Sequence, residues 1–177
     1  MATLKKLSAS FDFIFVKLSA DLDESDRQCA WEFFTELATR VAVTGKPKDT
    51  ACEDFSGEIY VESLTSLYIF FGEARKIMRQ FPVGKINASS KIQNHLGALI
   101  YRVIRDVLRP FLEKWQAEYR YWWEYTSDKA LNPFERQDAY PRRDEMIADW
   151  VEVRAVMKTI QIKLIDTYKL VNVVVMK

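Results

Sequence analysis

The stretch from residue 89 to 126 constrains this chain more than any other, because apolar residues recur along it every three or four positions. Leu96, Leu99, Ile100, Val103, Val107, Phe111, Trp115, Tyr119 and Trp122 fall on one face of a helix of about forty residues. Pro110 sits in the middle. The stripe keeps its phase through the proline, so the sequence predicts one helix kinked there rather than two unrelated ones.

Four other segments carry the same period. Residues 3–18 place Leu4, Leu7, Phe11, Ile14, Phe15 and Leu18 at helical spacing. A second helix opens in an acidic cluster at Asp21, Asp23, Glu24 and Asp26. It buries Ala30, Trp31, Phe34, Leu37, Ala38 and Val41, and it stops at Gly45 and Pro47. The third runs over 55–81 with Tyr60, Leu64, Leu67, Phe71, Ala74, Met78 and Phe81 inward, and Pro82 with Gly84 ends it. Residues 44–54 and 127–141 read as loops, and a final helix starts with Pro141 in its first turn and continues to about residue 171. The expected architecture is all-α: residues 1–177 form a single, elongated bundle of four long helices plus a shorter N-terminal one. Five glycines and five prolines are too few for the turns a sheet protein of 177 residues would need, which agrees with that reading.

Charge excludes several roles. With 26 basic and 25 acidic side chains, the chain has no overall field to draw in a polyanion, so nucleic-acid binding would need a local patch. Cys29 and Cys52 form neither a disulfide framework nor a metal-ligand spacing, and Cys29 reads as a core filler, which favours a reducing, cytoplasmic setting. No run approaches the apolar length of a transmembrane span.

Signals for chemistry are missing. The lone histidine, His95, has no glutamate three residues before it, so the carboxylate–histidine pairs of a bundle metal centre are absent. No Gly-x-Ser-x-Gly turn accompanies a serine, and Gly45-Lys46 and Gly84-Lys85 lack the rest of a phosphate-binding loop. The expectation is a non-enzyme with no cofactor and no metal.

Charge placement then singles out one helix. The second, third and fifth helices begin acidic and end basic, as the helix dipole prefers, and these charges read as solvated faces. Examples are Asp54, Glu58 and Glu62 before Arg75, Lys76 and Arg79, and Asp144, Glu145, Asp149 and Glu152 before Arg154, Lys158, Lys163 and Lys169. The proline-containing helix reverses the order, with Lys91, Arg102, Arg105 and Arg109 ahead of Glu113, Glu118 and Glu124. Two readings stay open for its arginines: pairing across a seam with Glu32 and Glu36 of a neighbouring helix, or contact with an acidic partner or phosphate backbone.

The same helix carries Tyr119-Arg120-Tyr121-Trp122-Trp123-Glu124-Tyr125, more aromatics than one face can bury. Tyr121, Trp123 and Tyr125 must point away from the core stripe, either under the loop after the helix or into a partner. The sequence therefore nominates Arg102, Arg105, Arg109, Arg120, Tyr121, Trp123 and Tyr125 as an interaction face. The expected role is a protein-interaction or regulatory module, with self-association as one form. Nucleic-acid binding by the same face is the alternative, and a small ligand in an aromatic pocket between helices is a third.

Overall fold

The computed structural model describes residues 24–80 and 96–170. The first expected helix, residues 3–18, lies outside them, as do Phe81, Pro82, Gly84, Lys91, His95 and residues 171–177. In chain order the described elements are α1 (Glu24–Ala38), α2 (Val41–Thr44), α3 (Tyr60–Gln80), α4 (Leu96–Arg102), the π-helical segment π1 (Val103–Leu108), α5 (Arg109–Tyr121), a second π-helical segment π2 (Trp122–Thr126), α6 (Pro133–Asp138) and α7 (Arg143–Tyr168). The fold is all-α, with no strand among the described residues.

Segments α4, π1, α5 and π2 follow one another without a break and form the long rod the stripe foretold. Its apolar set is buried from Leu96 to Tyr119, joined by Ile104, Leu108 and Leu112. Pro110 has no N–H to donate, and in a regular helix its ring would meet the carbonyl four residues back. The wide turn of π1 lies immediately before it, where Arg109 N–H reaches Ile104 O, and the rod continues.

The rod, α3, α1 and α7 pack as a ring of four. Helix α3 lies against α1 and α5, while α7 lies against α1, α2 and α5. Their shared core includes Phe33, Leu37, Leu67, Phe70, Trp115, Trp150, Met157 and Ile160, each fully buried.

Several boundaries differ from the sequence reading. The third helix starts at Tyr60, because residues 55–59 form a loop that tucks Phe55 and Glu58 inward. Along it, Phe70 and Ile77 are buried whereas Phe71 and Met78 are only partly so. The second helix ends at Ala38 because Arg40 is extended, at φ −116° and ψ 101°. That break restarts the chain as α2, leaving Val41 exposed and Val43 buried; Trp31 also lies outward, with Phe33 taking the inward place.

The stretch 127–141 is not all loop. Asn132 caps α6 by accepting from Phe134 N–H and Glu135 N–H, and Glu135 accepts from Asn132 N–H in return. Pro141 precedes α7 instead of entering its first turn, and Lys169 at φ 52° closes that helix.

The connection between α2 and α3 is fastened to α7. Gly45 turns it with φ 70°, a left-handed conformation that suits glycine, and its Cα faces the Arg154 side chain. Trp150 Nε1 donates to Ala42 O at 2.8 Å, and Lys158 Nζ donates to Lys46 O at 2.9 Å and to Asp49 O. Buried Gln137 of α6 holds the other end, donating to Glu58 O and accepting from Tyr60 N–H, each at 3.0 Å.

Arg154 and Glu58 therefore correct the expectation of solvated charges. Arg154 is fully buried, its guanidinium 3.7 Å from the centre of the Phe55 ring, and burial pulls its pKa below the usual arginine value. Lys158 is likewise spent on loop carbonyls.

A candidate contact face on the long helix

The rod has two differently treated sides. Towards α7 its polar groups are tied up. Lys114 pairs with Glu145 at 2.8 Å and with Asp149 at 2.7 Å, and Asp149 also accepts from Trp115 Nε1 at 2.9 Å. Glu118 accepts from Tyr140 Oη at 2.8 Å and pairs with Arg142, whose guanidinium covers the Trp115 ring at 4.5 Å. This is the charged seam of the bundle, and it uses α7. The pairing proposed from sequence does not form: Glu36 bonds Arg40, just past the end of α1, and Glu32 accepts from Gln28 within α1.

The other side, facing away from α7 beside α3, is not covered by any other described element. Four tyrosines stand out of it: Tyr68 of α3 with Tyr101, Tyr121 and Tyr125 of the rod, exposed by 54%, 47%, 64% and 73%. None of the four belongs to the buried core, and each leaves a large part of its ring in water. Tyr121 and Tyr125 lie together, ring centres 5.3 Å apart. Two shallow grooves run between α3 and the rod and share Tyr68 and Gln116. The first, of about 580 Å³, includes Arg75, Tyr101, Arg105 and Arg109; the second, of about 560 Å³, includes Arg120, Tyr121, Glu124 and Tyr125.

Arg105 sits between Asp106, at 2.5 Å, and the ring of Tyr101, at 5.1 Å, and the carboxylate raises its already high pKa. Arg109 pairs with Glu113 at 2.7 Å, one turn on, and is likewise held protonated. Arg120 reaches Thr65 of α3 at 3.4 Å. These cations are solvent-facing, and Arg105 and Arg109 are partly neutralised by their own helix, which leaves a face of mixed charge.

Of the seven residues nominated from sequence, Arg105, Arg109, Arg120, Tyr121 and Tyr125 line this one face. Arg102 lies beside it, half-buried and 3.6 Å from Asp106. Trp123 does not belong. It is partly buried, stacked on Tyr119 and covered by the Arg136 guanidinium at 3.8 Å, so α6 is what shelters it. The π2 segment brings this about, since a wider turn puts a smaller angle between neighbours and lets Trp122 and Trp123 both face inward. Tyr68 and Tyr101 were missed. Their signal was present in the sequence, as large aromatics off the buried stripe of each helix.

The chain matches no family model, no curated protein and no solved structure. No described helix is long and apolar enough to cross a membrane.

Proposed function

We propose that this chain is a non-enzymatic protein-contact module, regulatory in character and working in the cytoplasm, whose contact surface is the tyrosine–arginine face between α3 and the rod. The observation that carries the reading is the alignment of Tyr68, Tyr101, Tyr121 and Tyr125 with Arg105, Arg109 and Arg120 on one open side of the bundle. Tyrosine and arginine are enriched at the energetic centres of protein interfaces: tyrosine offers a large flat surface and a polar end at modest entropic cost, and arginine a planar, multiply donating cation. Cys29 and Cys52 are both buried and are not joined in a disulfide, which agrees with a reducing compartment.

A polyanion is the poorer partner. Asp106, Glu113 and Glu124 lie among the arginines and would meet a phosphate backbone with like charge.

Capture from a lysate of the native host tests the reading. The wild-type chain retains a protein that Tyr121→Ala with Tyr125→Ala loses, while circular dichroism of the variant is unchanged. Capture that is indifferent to both tyrosines overturns it. Oligonucleotide binding that falls steeply with salt and disappears in Arg105→Glu with Arg109→Glu would favour nucleic acid instead.

A further inference from the structure

We infer that α6 is a lid on the contact face: it lifts by local unfolding and adds Trp123 to the surface a partner meets. The inference rests on the contact-module reading and names how that face is regulated.

The lid is the stretch between two fixed points. Ser127 closes π2, and Tyr140 is buried with its ring 4.9 Å from that of Tyr119 and 5.0 Å from that of Trp122. Of residues 128–139, only Gln137 is buried. The large apolar side chains of the stretch, Leu131 and Phe134, are 38% and 49% exposed, whereas Arg136 and Gln137 turn inward. The helix therefore docks by its polar side.

Burial of apolar surface is what ordinarily holds a helix to a core, and α6 contributes almost none. Its ties are the two hydrogen bonds of Gln137 to Glu58 O and Tyr60 N–H, the Arg136 guanidinium over Trp123, and an ion pair of Asp138 with Arg143 at 2.9 Å. Each is worth little net, because water replaces it when the helix leaves. Segments with few buried apolar contacts open at free energies well below that of global unfolding.

What lies beneath is aromatic. Arg136 covers the Trp123 ring, which stacks on Tyr119. The Tyr119 hydroxyl is buried within the field of Arg136 and Asp138 and has no hydrogen-bond partner among the described residues. A closed lid leaves that group unmet, and lifting it admits water. Trp123 and Tyr125 belong to the same short segment, π2, so the uncovered indole extends the tyrosine patch. Tryptophan joins tyrosine and arginine among the residues that anchor interfaces. A partner that grips the indole binds only the lifted form and shifts the population towards it.

Hydrogen exchange of the full chain, read by mass spectrometry, and oxidation of Trp123 by N-bromosuccinimide test the lid together. In the wild type, amides of α6 exchange at least about a hundredfold faster than those of α7 around Trp150. Asn132→Ala removes the α6 cap without altering any of the ties above. It speeds both α6 exchange and Trp123 oxidation by about fivefold, the change in population that a lost cap brings, and leaves α7 unchanged. Asn132→Asp still caps and stays near wild type. In lysate capture, Asn132→Ala retains more of the protein that Tyr121→Ala with Tyr125→Ala loses.

Amides of α6 as slow as those of α7, or an Asn132→Ala variant that exchanges faster in every helix alike, overturn local lifting. Faster α6 exchange with unchanged Trp123 oxidation overturns α6 as the cover of that ring. A lid that lifts while capture still depends on the two tyrosines but not on Asn132 overturns the regulation and leaves the contact-module reading standing. Capture indifferent to the tyrosines overturns that reading and the inference with it, whatever the exchange shows.

Discussion

Arg154 Nη2 lies 2.6 Å from Glu58 Oε2 across 96 residues of sequence, and the pair is closed inside the bundle with the arginine wholly buried. Glu58 Oε2 also accepts from Ser63 Oγ at 3.0 Å, and Arg154 Nε donates to Ala42 O at 3.4 Å. Arg154 Nη1 and Glu58 Oε1 have no hydrogen-bond partner among the described residues. The pair ties the α2–α3 connection to α7, and it is held by geometry more than by complete solvation.

Removing one member strands the other. Glu58→Gln leaves a buried guanidinium without its counter-charge and is expected to cost about 3–5 kcal/mol. Glu58→Leu combined with Arg154→Met is expected to cost less than Glu58→Gln alone, since no charge is then left buried. Urea denaturation of the three variants decides; equal stability of Glu58→Gln and wild type would refute the account.

The aromatic run separates into supports and free surface. Trp123→Ala removes a ring held between Tyr119 and Arg136, and is expected to lower stability by about 2 kcal/mol. Tyr121→Ala and Tyr125→Ala, measured where the chain is monomeric, are expected to stay within about 0.5 kcal/mol of wild type. Thermal melts at low protein concentration read both.

Gly72→Ala is expected to stabilise the monomer. Its Cβ enters open space in the middle of α3, and the gain in helix propensity is about 1 kcal/mol, or about 2–4 °C in melting temperature.

Acid exposes the α5–α7 seam. Hydrogen bonds from Arg142 and then Lys114 lower the pKa of Glu145 to about 2. A carboxylate whose folded pKa is depressed stabilises above its unfolded value of about 4.3, and that contribution is lost as the pH falls towards the folded one. The stability of wild type should therefore drop between about pH 4.5 and 2, and Glu145→Gln should flatten that limb. High salt should reduce the difference, because the carboxylate is solvent-facing. A pH series of urea midpoints gives the comparison.

The long rod shows how far sequence reaches. Nine positions from Leu96 to Trp122 specified its buried face, and eight of them are fully buried with Trp122 packed against the core. Regular spacing of apolar groups is a property of one helix, readable without its neighbours. Partners across space are not readable in that way. Glu58 and Arg154 looked like dipole-ordered surface charges, and Trp123 was left between cover by the following segment and contact with a partner, because burial depends on which elements arrive opposite: the loop of residues 45–59 for Arg154, α6 for Trp123.

The sequence by itself determined that the chain is helical, that residues 96–126 belong to one long element, and which of its side chains lie off the apolar stripe. The physical reason is local: a period near 3.6 sorts residues to inside and outside of any one helix. Only the tertiary structure decided that Tyr68 of α3 and Tyr101 of the rod join Arg105, Arg109, Arg120, Tyr121 and Tyr125 on a single face, and that the rod's other side is sealed by Glu145 and Asp149 of α7 with Arg142 just before it. That choice follows from which helices pack together. The free energy of packing comes from the whole buried core and is not written in the period of any one segment.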